Sequence, residues 1–76
     1  MKDLIAILNQ IRPGQDFAGS TDFFSQGVLD SLDLTTLVAE LETSYNVFVD
    51  VEEIVPEKFR NLAAIRQLLA KHGVVI

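Results

Sequence analysis

The longest run of helically spaced apolar residues begins near Asp30 and ends at Tyr45. Its apolar positions recur every three or four residues and form one continuous stripe: Leu34, Leu37, Val38, Leu41 and Tyr45. Either Asp30 or Ser31 can cap the start of such a helix, and Asn46 is a residue type that commonly ends one. This segment is the strongest helix prediction in the sequence, and its stripe is predicted to face the core.

Two further helices are predicted towards the ends of the chain. The first covers residues 2–11 and ends at Arg12-Pro13-Gly14, because proline disfavours helical backbone at the residue before it. The last begins after a cap at Asn61 and ends at Gly73, and His72 suits the negative end of its dipole better than a ligand role. The inward positions of this last helix are predicted to be Leu62, Ile65, Leu68 and Leu69.

The segments between these helices carry weaker signals. Residues 14–27 are predicted to form a long loop, held against the helical core by its phenylalanines: Phe17, Phe23 and Phe24. Residues 47–51 are rich in β-branched side chains, but no second strand exists to pair with them, so we expect an extended link. One short helix should follow, with Asp50 and Glu53 as a capping-box-like start and Pro56 just past its end.

These elements together predict an all-α fold, a small four-helix bundle with a long first loop and a short third helix. The 76 residues suffice for one domain, so we expect residues 1–76 to form a single, monomeric domain. The absence of cysteine and the single histidine exclude a disulfide framework, a thiolate metal site and a multi-histidine metal centre. No apolar run approaches the roughly 20 residues that span a bilayer, and the amino end lacks a signal-peptide pattern. A soluble cytoplasmic domain is therefore expected.

The net charge of −5 is unevenly distributed along the chain. Ten acidic residues and no lysine or arginine lie between Asp16 and Glu57, and all six basic residues lie outside that window. Such a field repels nucleic-acid phosphates and anionic lipid headgroups and attracts proteins with basic surfaces. We therefore expect neither nucleic-acid binding nor membrane insertion, although charge alone would favour the simpler interpretation that an acidic surface only keeps a small protein soluble.

The sequence around Ser31 has a feature that packing does not explain. Ser31 lies where the strongest helix begins, directly after a glycine-containing turn, within Gly27-Val28-Leu29-Asp30-Ser31-Leu32-Asp33. The amino end of a helix has unpaired N–H groups and a partial positive charge, so a phosphate ester on this serine would be stabilised there. The alternative is that Ser31 only caps the helix.

With this segment and the helix that follows it, the chain resembles the acyl carrier and peptidyl carrier protein family. The resemblance covers nearly the whole chain and rests on Phe24, the segment from Gly27 to Asp33, the amphipathic helix through Leu41-Glu42, and residues 51–62. It implies that Ser31 receives a 4'-phosphopantetheine arm from coenzyme A, added by a phosphopantetheinyl transferase with magnesium. It also implies that Asp30, beside this serine, helps to organise the transferase site.

The same resemblance implies how such a protein would work. The thiol of the arm would hold an acyl or aminoacyl group as a thioester, so a chain without cysteine could still support thiol chemistry. A loading enzyme would supply that group and downstream acyl-transfer enzymes would receive it. The chain itself is therefore expected not to be an enzyme and to hold no metal.

The strongest helix also predicts a face for partner enzymes. Projection at 100° per residue places Leu32, Thr36, Ala39 and Thr43 opposite the core stripe, and an exposed leucine beside the modified serine favours docking. Acidic side chains flank this face on both sides. The predicted partner-binding residues are Leu32, Asp33, Thr36, Ala39, Glu40, Glu42 and Thr43.

Two departures from the family pattern bear on the pathway. Carriers of fatty acid synthesis usually have more glutamates where this chain has Thr36 and Thr43, and peptidyl carriers usually have glycines where it has Val28-Leu29. A free-standing acyl carrier in a specialised, polyketide- or non-ribosomal-peptide-like pathway fits best. The alternatives are a D-alanyl or other aminoacyl carrier, and a carrier-fold interaction module that is never modified.

Two other classes of function fit the sequence less well. A serine hydrolase would need more than Ser31, His72 and an aspartate, since the chain has no G-x-S-x-G motif and little room for a pocket. A calcium-binding loop would need the D-x-[DN]-x-[DN]-G pattern, which is absent.

Overall fold

A computed structural model describes residues 3–76 as a set of helices with no strand among them. The elements, in chain order, are α1 (Leu4–Ile11), α2 (Ser31–Tyr45), one turn of 3₁₀ helix (Val51–Glu53), α3 (Pro56–Phe59) and α4 (Leu62–Lys71). α1 packs against α2, and α3 contacts both α2 and α4. The all-α, four-helix fold class is confirmed. Lys2, which the first predicted helix included, lies outside the described residues.

α2 supplies the central stripe of the core. All five residues of the predicted stripe are buried: Leu34, Leu37, Val38, Leu41 and Tyr45. The helix ends as predicted at Asn46, which takes a left-handed conformation with φ 55°. The phase of α2 was therefore correctly predicted, and this phase determines which residues face outward next to Ser31. No helix of the described residues is long and apolar enough to cross a membrane.

The long first loop is held in place by buried phenylalanines, as predicted. The rings of Phe17 and Phe23 meet edge to face with their centroids 5.3 Å apart. The backbone N–H of Phe23 donates to the carbonyl of Arg60 at 2.6 Å, and its own carbonyl accepts from the N–H groups of Val28 and Leu29. These bonds fix the chain that leads into α2, so the loop sets the position at which the helix begins.

The predicted short third helix differs from the observed structure. A single 3₁₀ turn follows Asp50, whose N–H donates to the Glu53 carboxylate at 3.2 Å, and a separate α3 then begins at Pro56. The sequence placed Pro56 past the end of a helix, but proline also suits the first helical position, where its missing N–H would have no helical partner. Val55 is extended, as a residue before proline prefers to be.

α4 is tied to the rest of the fold at both ends. Asn61 caps it as predicted, accepting from the N–H of Ala64 at 2.8 Å, and its side-chain amide donates to the carbonyl of Thr21 at 3.0 Å. At the other end, His72 Nε2 lies 2.9 Å from Glu53 Oε1. Burial alone would raise the pKa of the Glu53 carboxyl, but hydrogen bonds from the Asp50 N–H and the His72 ring hold it below its ordinary value.

Candidate functional site

Ser31 is the first residue of α2 and its side chain is exposed. The cap of this helix is Asp30: its Oδ1 accepts from the N–H of Asp33 at 2.9 Å, and Asp33 Oδ2 accepts from the N–H of Asp30 at 3.1 Å. This is a reciprocal capping box. The interpretation that Ser31 only caps the helix is therefore wrong, because its neighbour performs that role and leaves the serine hydroxyl accessible.

A cation lies beside this capping box. Arg12 Nη2 is 3.1 Å from Asp30 Oδ2, and Arg12 Nε is 2.9 Å from Asp33 Oδ2. The hydrogen bond from the Asp33 N–H does most to lower the pKa of the Asp30 carboxyl, and the Arg12 charge lowers it further. The positive charge of Arg12 thus partly offsets the negative charges of the two carboxylates near Ser31.

This arrangement fits a phosphate ester on Ser31. The serine offers an exposed hydroxyl at the start of a 15-residue helix, where the backbone dipole favours negative charge. Two carboxylates would oppose that charge, but one guanidinium contacts both of them. The local chemistry can therefore accept a covalently attached phosphate.

The outward face of α2 is exposed as the helical projection predicted. Leu32 is 78% exposed, and Thr36, Ala39 and Thr43 continue the exposed line along the helix. The Thr36 hydroxyl donates to the Leu32 carbonyl at 3.2 Å, and the Thr43 hydroxyl donates to the Ala39 carbonyl at 3.0 Å. This face is uncharged because its side chains are leucine, alanine and threonine, and it offers few free donors because both hydroxyls are bonded within the helix. Its role in partner binding stays a prediction.

The acidic residues that flank this face already have contacts within the chain or are partly covered. Asp33 takes part in the capping box and the Arg12 ion pair, and Glu42 Oε2 accepts from the N–H of Val49 at 3.0 Å. Glu40 is half-buried. Glu42 therefore anchors the segment after α2, in addition to the partner role predicted for it.

Sequence reasoning missed two exposed apolar side chains after α2, one on the extended link and one at the start of the 3₁₀ turn. Phe48 is 74% exposed and Val51 is 83% exposed, whereas Val49 between them is buried and Val47 is half-buried. Alternation of inward and outward side chains in an extended segment was the signal that could have identified Phe48.

His72 and the acidic residues form no second chemical centre with Ser31. His72 pairs with Glu53 at the end of α4, whereas Ser31 lies beside Asp30 at the start of α2. Within residues 3–76, no group of three or more histidine and acidic side chains is placed to hold a metal ion. The site that the structure assembles is therefore the start of α2 with Arg12.

Comparison with protein families shows to which family the chain belongs. The chain matches the family model described as a phosphopantetheine attachment site over residues 2–69, a range that includes Ser31 and the first three helices. Comparisons with curated proteins and with solved structures gave no match. Domains of this family carry covalently attached 4'-phosphopantetheine, are not catalytic themselves, and work with phosphopantetheinyl transferases and acyl-handling enzymes. Since the match covers well over half of the chain, this protein belongs to the phosphopantetheine-attachment family and is a carrier domain.

Proposed function

We propose that Ser31 is the attachment point of the 4'-phosphopantetheine arm. The observation that carries this proposal is the exposed hydroxyl at the first position of α2, with Asp30 rather than Ser31 acting as the helix cap. Other serines lack this setting. Ser20 bonds to Gln26 within the first loop, Ser25 lies in the same loop, and Ser44 is half-buried near the end of α2.

The residues around Ser31 have separate roles in this proposal. The Ser31 oxygen loses its proton and forms a bond to the pantetheine-side phosphorus of coenzyme A, while the pyrophosphate bond to the departing adenosine 3',5'-bisphosphate breaks. The amino end of α2 stabilises the resulting phosphodiester. Asp30 caps the first turn of the helix through the Asp33 N–H, and in this proposal its carboxylate, on the residue before Ser31, helps to organise the transferase site. The arm supplies a terminal thiol, on which an acyl group travels as a thioester between a loading enzyme and later acyl-transfer enzymes.

Enzymatic modification in vitro tests the attachment point. Incubation with coenzyme A, magnesium and a broad-specificity phosphopantetheinyl transferase should add one phosphopantetheinyl group to the wild type and none to Ser31→Ala. Ser25→Ala, which removes an exposed loop serine, is the matched control and should be modified fully. Equal circular-dichroism spectra establish that both variants fold. Modification of Ser31→Ala would overturn the assignment, and an unmodified wild type would favour the interaction-module alternative.

We further propose that the protein serves a specialised pathway, polyketide- or non-ribosomal-peptide-like, rather than fatty acid synthesis. The support comes from the exposed face of α2, where Leu32 is prominent and the hydroxyls of Thr36 and Thr43 are bonded to the helix. Acidic residues elsewhere would still steer basic partners over long distances in a salt-dependent way. Selection at close range would depend on apolar contact around Leu32.

Added charge on this face tests the pathway proposal. The double variant Thr36→Glu with Thr43→Glu should improve acyl transfer with ketosynthases of fatty acid synthesis and impair it with the cognate enzyme. Leu32→Ala should mainly impair the cognate reaction. Thr35→Glu is a control that adds charge beside the stripe, and it should have the smaller effect. Unchanged rates for the double variant with both enzymes would show that this face does not set specificity.

The cargo has a second candidate class, an aminoacyl group such as D-alanine. The residues before Asp30 favour an acyl carrier, since Val28-Leu29 replaces the glycines usual in peptidyl carriers, but an aminoacyl thioester uses the same arm. Intact-mass measurement of the protein from its native host, before and after hydroxylamine cleavage of the thioester, distinguishes the two cargo classes. A mass loss on cleavage that equals an aminoacyl group would favour the aminoacyl alternative.

A further inference from the structure

Arg12 is held at the start of α2 although it precedes that helix by a long loop. Its backbone N–H donates to the Leu8 carbonyl at 2.9 Å, which fixes it at the end of α1. Its Nε and Nη2 contact the carboxylates of Asp33 and Asp30, and its third nitrogen, Nη1, makes no ion pair with them. The guanidinium therefore lies at the start of α2, on the two carboxylates that flank Ser31 in the sequence.

The charges around Ser31 give this cation a second task once the arm is attached. Asp30, Asp33 and Arg12 together carry one net negative charge. A phosphodiester on Ser31 adds another, and without Arg12 three negative charges would lie at the start of one helix. After Arg12, the next lysine or arginine along the chain is Lys58. Within residues 3–76, Arg12 is also the only lysine or arginine that forms an ion pair with an acidic side chain.

We propose that Arg12 is the resident counter-ion of the phosphodiester on Ser31, an inference that rests on the proposed function. In the unmodified protein, Arg12 neutralises the capping carboxylates. In the modified protein, the same guanidinium offsets the added charge, so the arm can be attached without weakening the start of α2. Arg12 is thus a charge partner of the prosthetic group, and it is positioned by α1 rather than by α2.

A purely structural clamp between α1 and α2 is the competing explanation, and a thermodynamic cycle separates the two. A clamp stabilises the unmodified and the modified protein equally. A counter-ion stabilises the modified protein more, because it interacts with a charge that the unmodified protein lacks. The quantity to measure is therefore the effect of modification on the unfolding constant, with and without Arg12.

Urea titrations of wild type and Arg12→Gln, each unmodified and modified, complete this cycle at low ionic strength. Modification should raise the unfolding constant of Arg12→Gln about two- to fivefold more than that of the wild type, which is the upper range for exposed pairs of opposite charge. The difference should shrink at high salt. Arg12→Lys should stay close to the wild type, and Arg66→Gln, an equal change of charge at an exposed position of α4, should show no coupling. Equal effects of modification in wild type and Arg12→Gln would overturn the proposal.

Two further measurements keep this inference separate from the attachment assignment. Ser31→Glu places a negative charge at the same position without any arm, so its cycle with Arg12→Gln, against Ser31→Gln as the neutral reference, should show coupling of the same sign. If the arm proved to be attached elsewhere, the proposed function would fail. The cycle of Ser31→Glu with Arg12→Gln would still show whether Arg12 interacts with a negative charge at position 31. In the wild type, the Nε–H resonance of Arg12 should shift on modification, and an unmoved resonance would contradict the proposal.

Discussion

Leu37→Ala and Thr36→Ala together test how α2 is oriented, and so which face it presents next to Ser31. The two residues are adjacent in sequence but lie on opposite faces of the helix. Leu37 is fully buried in the core, whereas Thr36 is exposed on the predicted partner face. Their substitution by alanine should therefore have very different effects on the free energy of unfolding.

The expected cost of Leu37→Ala follows from its burial. Removing three buried carbon groups loses about 2.4 kcal/mol of transfer free energy. A residual cavity of about 50 Å³ would add about 1.2 kcal/mol. We therefore expect a loss of about 3–4 kcal/mol, within a total stability of about 4–11 kcal/mol for a chain of this length. Leu41→Ala, equally buried, should lose a similar amount.

Thr36→Ala should change stability by no more than about 0.5 kcal/mol. It removes the hydrogen bond from the Thr36 hydroxyl to the Leu32 carbonyl, but water reaches that exposed carbonyl, and alanine is the better helix former. Urea titrations of the unmodified proteins, followed by far-ultraviolet circular dichroism, measure both values. Equal losses for Thr36→Ala and Leu37→Ala would refute the orientation of α2.

Three further predictions concern the segments that hold α2 in position. Asn61→Ala should lose about 1–2 kcal/mol in urea titrations because it removes the cap of α4 and the bond to Thr21, and Asn61→Asp, which keeps the cap oxygen, should lose less. Gly27→Ala should lose about 1–2 kcal/mol from backbone strain alone, since Gly27 has φ +73° and open space around its α-carbon, and an unchanged urea midpoint would contradict this. Glu53→Gln should be less stable than wild type at neutral pH, because hydrogen bonds from the Asp50 N–H and the His72 ring lower the pKa of Glu53, so its ionised form stabilises the fold. That contribution is lost as the pH falls through the folded pKa of Glu53, so the stability of wild type should fall more steeply in acid than that of the variant, and parallel curves would contradict the prediction.

The parts of the fold that were predictable from sequence are those set by local patterns. The stripe of α2 runs from Leu34 to Tyr45 through about three turns, so several residues agree on its phase, and that phase also sets the exposure of Leu32 and Thr36. Asn46 and Asn61 were predictable for a similar reason, because a left-handed stop and a side-chain cap depend on the residue itself and its near neighbours.

The parts that were not predictable depend on contacts between segments or on choices between equal local options. Asp30 and Ser31 are both good caps, and the ion pair with Arg12, which comes from the end of α1, favours Asp30. Arg12 itself could not be assigned from sequence, since its contact spans a loop whose path is set by buried phenylalanines. Pro56 could either follow a helix or begin one, and the packing of α3 against α2 and α4 decides which.

Tandem mass spectrometry of the modified protein tests the central claim most directly, because it locates the arm on the chain. After proteolysis, the peptide that contains Ser31 should carry one phosphopantetheinyl group, and fragment ions should place it on that serine. Peptides that contain Ser20, Ser25 or Ser44 should keep their unmodified masses. An arm on any of those residues, or fully modified protein with an unmodified Ser31 peptide, would contradict the account.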